Sequence, residues 1–222
     1  MASSGRIRRV LGSPWAASSL FVIEHRGVLS IVDTGSKGAL SRIVSALRKL
    51  ERRPEDVREI VLTHCHGDHT GEAQRLAELS GATVVAGEAD AEVIAGRAVY
   101  PGPRDRLGRT LYRGLERFPR LEVGRRVAAE EDLEGGLRAI PTPGHTLGHL
   151  AVLVPDASAV VVGDAVWHLG LLRPSWKRFT QDPERNAESI RRLADLGADR
   201  VLIAHGPSVS GERLRDLAAS LQ

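Results

Sequence analysis

Three histidines and an aspartate fall within one six-residue run, His64-Cys65-His66-Gly67-Asp68-His69. Three more, His145, Asp164 and His205, each follow a separate apolar stretch. Imidazole and carboxylate are the ligands zinc takes at catalytic sites, where a position stays open for water or substrate; structural zinc is held mostly by cysteine. Cys65 is the only cysteine, so neither a structural zinc cage nor an intrachain disulfide is available. His64 and His66 are two apart in an extended segment and can face one ion. Asp68 and His69 follow the flexible Gly67 and can turn towards a second. A lone buried histidine is most simply a satisfied core residue, but four such residues in six, with three more at strand ends, are better explained by a metal site. His25 fits no cluster and reads as a surface turn residue. His149 reads as a support rather than a ligand, and His168, in the loop after Asp164, could line the pocket.

These residues need elements to position them. Ser19–Ile23 and Val28–Val32 read as strands of a hairpin turning at Arg26-Gly27. Leu40, Ile43, Val44, Leu47 and Leu50 have helical spacing, and Pro54 ends that helix. Ile60-Val61-Leu62 reads as a buried strand running into His64, residues 72–79 as a helix closed by Gly81, and residues 82–86 as a strand. Strands over 137–140, 149–154, 159–162 and 200–204 carry His145, Asp164 and His205 at or near their ends, where open α/β architectures collect ligands. Asp182-Pro183 opens a helix to about Leu196, and residues 211–221 form the last one. Residues 96–136 read as irregular, broken by Pro101, Pro103 and Pro119, and residues 164–182 as a loop. Two series of alternating strands and helices imply an α/β fold of two packed sheets with helices outside, in a single domain over residues 1–222.

Composition sets the bounds. The chain has 222 residues, 42% hydrophobic but only 4% aromatic, so aliphatic side chains must fill the core. Basic residues number 31 against 28 acidic, and the arginines are scattered, which fits a solvated surface and not a nucleic-acid track. No apolar run is long enough to span a bilayer. The stretch from Trp15 to Ile23 behind Arg6, Arg8 and Arg9 is interrupted by Ser18 and Ser19 and reads as strand, not signal peptide. A cytoplasmic protein acting on a small molecule, without nucleic-acid or membrane partners, is the expectation; oligomeric state is not encoded in any pattern found.

The full set of motifs resembles the metallo-β-lactamase fold superfamily. It comprises Asp33-Thr34-Gly35, His64-x-His66-x-Asp68-His69, Thr142-Pro143-Gly144-His145-Thr146-x-Gly148-His149, Gly163-Asp164 and His205. The resemblance implies an αββα four-layer sandwich with a dinuclear site at one edge. It implies that His64, His66 and His145 hold one metal, that Asp68, His69 and His205 hold the other, and that Asp164 bridges them. It implies that Asp33 supports the metal loop without ligating. Two zinc ions per chain are expected, with iron or manganese as substitutes. A hydroxide shared by two such ions, ~3.5–4 Å apart, would attack an ester, thioester or lactone, with Asp68 relaying a proton and Asp164 bridging.

Comparison with subfamilies narrows the substrate. Class B β-lactamases typically carry a cysteine near the second metal, where Asp164 stands here. Glyoxalase II adds a C-terminal helical domain. Homoserine lactonases carry a tyrosine where this chain has Trp167, whose indole N–H can only donate. Ribonuclease Z needs a tRNA-gripping arm that is not found. The alternatives that stay open are a mononuclear iron oxidoreductase of the persulfide dioxygenase type and a metal-dependent phosphodiesterase. The pocket walls are expected in residues 97–119, which could act as a lid, and in the loop from Trp167 to Phe179. Trp167, Leu169, Leu171 and Leu172 would offer apolar contact there, and Arg173, Lys177 and Arg178 would meet an anionic end of the substrate.

Overall fold

The computed structural model describes residues 5–13, 17–103, 106–115 and 120–221, and for residues 111–115 the backbone alone. Six strands form the first sheet: β1 (Arg6–Ser13), β2 (Ser18–His25), β3 (Val28–Val32), β4 (Val57–Leu62), β5 (Thr83–Gly87) and β6 (Arg125–Val127), side by side in chain order. β1 to β3 are antiparallel, and β3 to β6 run parallel. The parallel steps are crossed by helices α1 (Leu40–Arg48), α2 (Gly67–Thr70), α3 (Ala73–Ser80), α4 (Glu88–Ile94) and α5 (Arg106–Leu115). The second sheet contains β7 (Glu131–Asp132), β8 (Arg138–Pro141), β9 (Leu150–Val154) and β10 (Ala159–Val161). After the separate hairpin β11 (Val166–Leu169) and β12 (Leu171–Pro174), α6 (Pro183–Asp195), β13 (Arg200–Leu202), β14 (Val209–Ser210) and α7 (Gly211–Ser220) complete it, in the order β14-β13-β10-β9-β8-β7.

Strand alternation explains why there are four layers. Along β2, Leu20 and Val22 pack outward with the α1 and α3 residues Ile43, Leu47 and Leu76, while Phe21 and Ile23 point inward. β4 repeats this, with Ile60 and Leu62 outward and Val61 inward. In the second sheet, Leu150, Val152, Val161 and Leu202 face inward, and Ala151, Val160 and Val201 face Ile190, Leu193 and Leu214 of α6 and α7. Both faces of each central strand are therefore buried, which is why these strands read as unbroken apolar runs. The αββα sandwich expected from the motifs is the fold observed.

Several local readings need correction. Arg6, Arg8 and Arg9 lie in β1, which pairs with β2 and was not anticipated; Trp15 lies outside the described residues. The segment read as irregular contains α5, β6 and β7, and α4 precedes it. In that segment Leu107, Leu111 and Leu115 step by four, a helical signal obscured by Gly108, Gly114 and the flanking prolines. The stretch read as a loop after Asp164 contains the β11–β12 hairpin, turning at Gly170 with φ +85°. His25 is not a surface residue. It is 1% exposed at the end of β2, where the loop around Gly135 closes over it. No helix among the described residues is long and apolar enough to cross a membrane.

Candidate metal centre

The seven residues singled out by type and spacing leave the same end of the sandwich. His64 follows β4, and His66 stands just before α2, which carries Asp68 and His69. His145 lies between β8 and β9, Asp164 after β10 and His205 after β13. The backbone N–H of Leu150 donates to Thr63 O at 2.7 Å and ties the two sheets together there.

The cluster is close-packed. His66 Nδ1 lies 3.0 Å from both His64 Nε2 and His145 Nε2. His69 Nε2 lies 3.5 Å from Asp68 Oδ2 and 3.4 Å from Asp164 Oδ1. His205 Nε2 lies 3.3 Å from a carboxylate oxygen of each aspartate, and His145 Nε2 lies 3.6 Å from Asp164 Oδ2. Potential ligand atoms gather in three overlapping groups: His64, His66 and His145; His64, His69 and Asp164; Asp68, His69 and His205.

The far side of each ring explains its orientation. Thr63 Oγ1 is 3.0 Å from His64 Nδ1, the Tyr100 hydroxyl 2.9 Å from His66 Nε2, and Ser175 Oγ 3.2 Å from His145 Nδ1. His69 Nδ1 donates to Asp33 Oδ2 at 2.8 Å. With each outer nitrogen facing an oxygen, the inner nitrogens of His64, His66 and His145 are turned towards one another and that of His69 towards Asp68 and Asp164, the arrangement that outer partners impose on metal-binding imidazoles. Two buried atoms of the cluster, His69 Nε2 and Asp164 Oδ1, have no hydrogen-bond partner. Buried polar atoms normally have one, and a divalent cation would supply it.

Electrostatics separates the two halves. Burial, reinforced by the neighbouring imidazoles, pushes His64 well below the ordinary histidine value. Burial also pushes His145 well below it and His66 down to about 3, against the opposing pull of Asp164 on both and of Asp68 on His66. Burial opposes charge on His69 and His205 too, but the carboxylates beside them outweigh it, raising His69 to about 9 and His205 to about 11. Burial likewise works against the charged form of Asp164, yet His205, His69 and His145 hold it well below the carboxylate range. One half is a nest of neutral imidazoles, and the other pairs imidazoles with carboxylates.

The supports are equally specific. Asp33 adopts a left-handed conformation, φ +63°, and accepts from Thr63 N at 2.8 Å as well as from His69. Asp33 thus stands behind the cluster and not within it, as the motifs implied. His149 Nε2 accepts from the backbone N–H of Asp164 at 3.1 Å, so its proton sits on Nδ1 and is donated to Thr142 Oγ1 at 2.8 Å. A Cβ at Gly163, φ +49°, would stand 2.7 Å from that same Nε2.

Sequence reasoning missed Asp90. Its buried carboxylate accepts from Cys65 N at 2.9 Å, Thr146 Oγ1 at 2.7 Å and Gly148 N at 2.9 Å, and so joins the His64–His69 loop to the His145 loop. A single aspartate in a helix carries no spacing signal. Tyr100 and Ser175 lie within the two segments expected to wall the pocket but were not singled out there.

The wall of the site follows Asp164. The Trp167 ring lies 5.3 Å from the His205 ring and 6.3 Å from that of His145, centre to centre. Trp176 and Phe179 stand 5.9 and 6.0 Å from Trp167. Leu172 packs towards α6 and α7 instead, so it is not a pocket residue. Leu169 and Leu171 are exposed at the hairpin tip, as are Arg173, Lys177 and Arg178 beyond it. His168 is half-buried, its Nδ1 bonded to Pro207 O at 3.0 Å. Of the proposed wall over 97–119, residues 104–105 and 116–119 and the side chains of 111–115 lie outside the described residues. Tyr100 meets His66, and Gly108 of α5 packs on the backbone of Arg178.

Comparison with known proteins agrees with this fold. A family model described as the metallo-beta-lactamase superfamily matches residues 13–205. The chain is 27% identical to the probable metallo-hydrolase YflN of Bacillus subtilis (strain 168), over 83% of the chain and 78% of that protein. It is 30% identical to a hydroxyacylglutathione hydrolase of Cereibacter sphaeroides over 88% of the chain, a match spanning 63% of that relative. Among solved structures it is similar to TTHA1623 in a di-iron-bound form, with TM-score 0.71 and 23% identity, covering 95% of this chain and 98% of that one.

Proposed function

Since the chain belongs to the metallo-beta-lactamase superfamily, we propose that it is a metal-dependent hydrolase whose His64, His66 and His145 hold one divalent ion and whose Asp68, His69 and His205 hold a second, with Asp164 between them. The carrying observation is the inward convergence of imidazole nitrogens whose outer nitrogens are already tethered, beside the unpartnered His69 Nε2 and Asp164 Oδ1. Zinc is the metal proposed, because an all-imidazole and carboxylate donor set with no thiolate suits a catalytic zinc pair. When bound, two such ions would supply a water acidic enough to react near neutral pH and would polarise the substrate oxygen.

The substrate class is a small ester, thioester or lactone. The hydroxyacylglutathione hydrolase likeness supports an acyl thioester, and the glutathione part of that relative's name is not carried over. In the proposed reaction water adds to the acyl carbon, the carbon–sulfur or carbon–oxygen bond breaks, and an acid and a thiol or alcohol leave. Asp68 is the side chain placed to move the proton. It reaches the cluster through Oδ2, 3.3 Å from His205 Nε2, yet its side chain remains 23% exposed. A carboxylate at the edge of the cluster can take a proton from water and pass it to the departing atom.

The test is elemental analysis of protein purified without added metal, followed by a panel of ester, thioester, lactone and phosphodiester substrates. Two zinc ions per chain and hydrolysis of the acyl substrates, abolished by chelation, is the expected result. One iron per chain, with oxygen consumption on a persulfide, would replace this reading with the oxidoreductase one. Turnover confined to the phosphodiester would keep the metals and discard the acyl substrate.

A further inference from the structure

The chain has eight aromatic residues: three tryptophans, two tyrosines and three phenylalanines. Its core is aliphatic, with Phe21 the one phenylalanine there among the described residues. Three of the eight, Trp167, Trp176 and Phe179, meet at the metal centre instead. Trp176 and Phe179 are stacked, 21° between their planes and 6.1 Å between centres, and each stands about as far from Trp167. Trp167 in turn borders the rings of His145 and His205. The cluster is not sealed like a core, since Trp176 is 50% exposed. An exposed tryptophan stacked on a phenylalanine at the rim of a polar site leaves aromatic surface for a ligand to cover.

A second observation comes from the indole nitrogen. Trp167 Nε1 is buried and has no hydrogen-bond partner. A buried indole N–H normally finds an acceptor, and its ring borders two imidazoles of the cluster. The partner it lacks is an acceptor, and a carbonyl or carboxylate oxygen of a ligand would supply one.

Resting on the hydrolase reading for the reaction, we propose that Trp167, Trp176 and Phe179 form the acyl subsite, and that its occupant is a flat, apolar arylacyl group of the phenylacetyl kind whose carbonyl oxygen accepts from Trp167 Nε1. Ring stacking against Trp176 selects a flat group over a saturated one of equal size, because aromatic pairs gain beyond the area they bury. The N–H of Trp167 fixes the end of the acyl group that faces the metals. Trp176 is therefore a specificity residue, and Trp167 combines specificity with orientation.

The test compares phenylacetyl, cyclohexylacetyl and acetyl thioesters of N-acetylcysteamine, and separately measures quenching of tryptophan fluorescence by phenylacetate, cyclohexylacetate and acetate in a Trp15→Phe background. The expected kcat/KM is at least tenfold higher for phenylacetyl than for acetyl, with cyclohexylacetyl between. Trp176→Ala and Trp176→Leu should each collapse that ratio about tenfold and abolish quenching by phenylacetate. Trp167→Phe, which keeps a ring and removes the N–H, should lower kcat on phenylacetyl thioester while retaining most of the preference. A ratio within threefold of unity, or one that both Trp176 variants leave intact, overturns the subsite. The hydrolase reading fails separately: quenching by phenylacetate that Trp176→Ala abolishes, in a protein that turns over no thioester, keeps the subsite and removes the reaction.

Discussion

Histidine, carboxylate and burial occur together at both ends of this sandwich, with different outcomes. At the end where β2 turns into β3, His25 is 1% exposed, its Nδ1 donating to Gly135 O at 2.6 Å and its Nε2 3.1 Å from Asp156 Oδ2. Nδ1 is spent on a backbone oxygen, and Nε2, although it makes no hydrogen bond, meets one half-exposed carboxylate and no second ligand atom. At the opposite end, four histidines have their outer nitrogens tethered, but the inner nitrogens of His64, His66 and His145 face one another and that of His69 faces two carboxylates. Burial beside a carboxylate is therefore not what marks a site. The mark is convergence of several ligand atoms from separate segments on one point, with His69 Nε2 and Asp164 Oδ1 left unpartnered, an arrangement a cation would satisfy.

The strongest way to break the contrast is to remove one converging group. His205→Ala and Asp68→Ala each take a donor from the second group and should reduce bound metal from two ions towards one. Turnover should fall about 10²–10⁴-fold, since in the proposed reaction a shared water loses one of its two activating charges and Asp68 would also carry the proton. Metal content and kcat/KM on any accepted substrate check this. Full turnover in both variants would defeat the two-metal reading.

A milder test moves one step outward. Asp33→Asn keeps a residue type that tolerates the left-handed backbone at φ +63° while weakening the acceptor behind His69 Nδ1. Loss of such an outer partner typically lowers metal affinity about 10–100-fold, and a chelator competition should show a change of that size. Asp33→Ala combines the same loss with backbone strain and should also lower the melting temperature. If Asp33→Asn binds metal as tightly as the native chain, the tethering of outer nitrogens does not prepare this site.

The legible part of the molecule was what depends on neighbours in sequence. The His64–His69 run, and His145, Asp164 and His205 after apolar strands, could be singled out because strands buried on both faces announce themselves and their ends are loops. The two-sheet fold followed from the same alternation. What could not be read depends on partners far along the chain. His25 precedes an ordinary Arg26-Gly27 turn, and its burial comes from Gly135, 110 residues away. Asp90 matters only because folding brings Cys65, Thr146 and Gly148 to its carboxylate. The β11–β12 hairpin was hidden by its brevity, with four residues on each side of Gly170.

His25→Ala sharpens the contrast from the other end. It leaves Gly135 O without its donor inside the fold and opens a small void, which should cost about 1–3 kcal/mol. Urea denaturation should show that loss while metal content and kcat stay at the native level. A fall in bound metal would mean that the two ends of the sandwich are coupled.

The smallest effect is expected at Asp156, and it appears as a pH dependence. Hydrogen bonding from Arg26, the largest cause, together with the charges of Arg26 and His25, holds the Asp156 carboxyl below its usual value despite some desolvation. A carboxyl depressed in the folded state favours folding wherever it is ionised in both states. That contribution is complete above the unfolded value of about 3.9 and disappears as pH falls through the lower folded value. Asp156→Asn should therefore be less stable than the native chain at pH 6, with the gap narrowing as pH drops below about 4. The carboxyl lies at the surface, where solvent screens such pairs, so the gap itself should be small and should shrink further in 0.5 M salt. Urea midpoints of both proteins across that pH range, after chelation so that metal release does not intrude, give the comparison. A gap that stays constant down to pH 3 would show that Asp156 contributes by packing around His25 and not by charge.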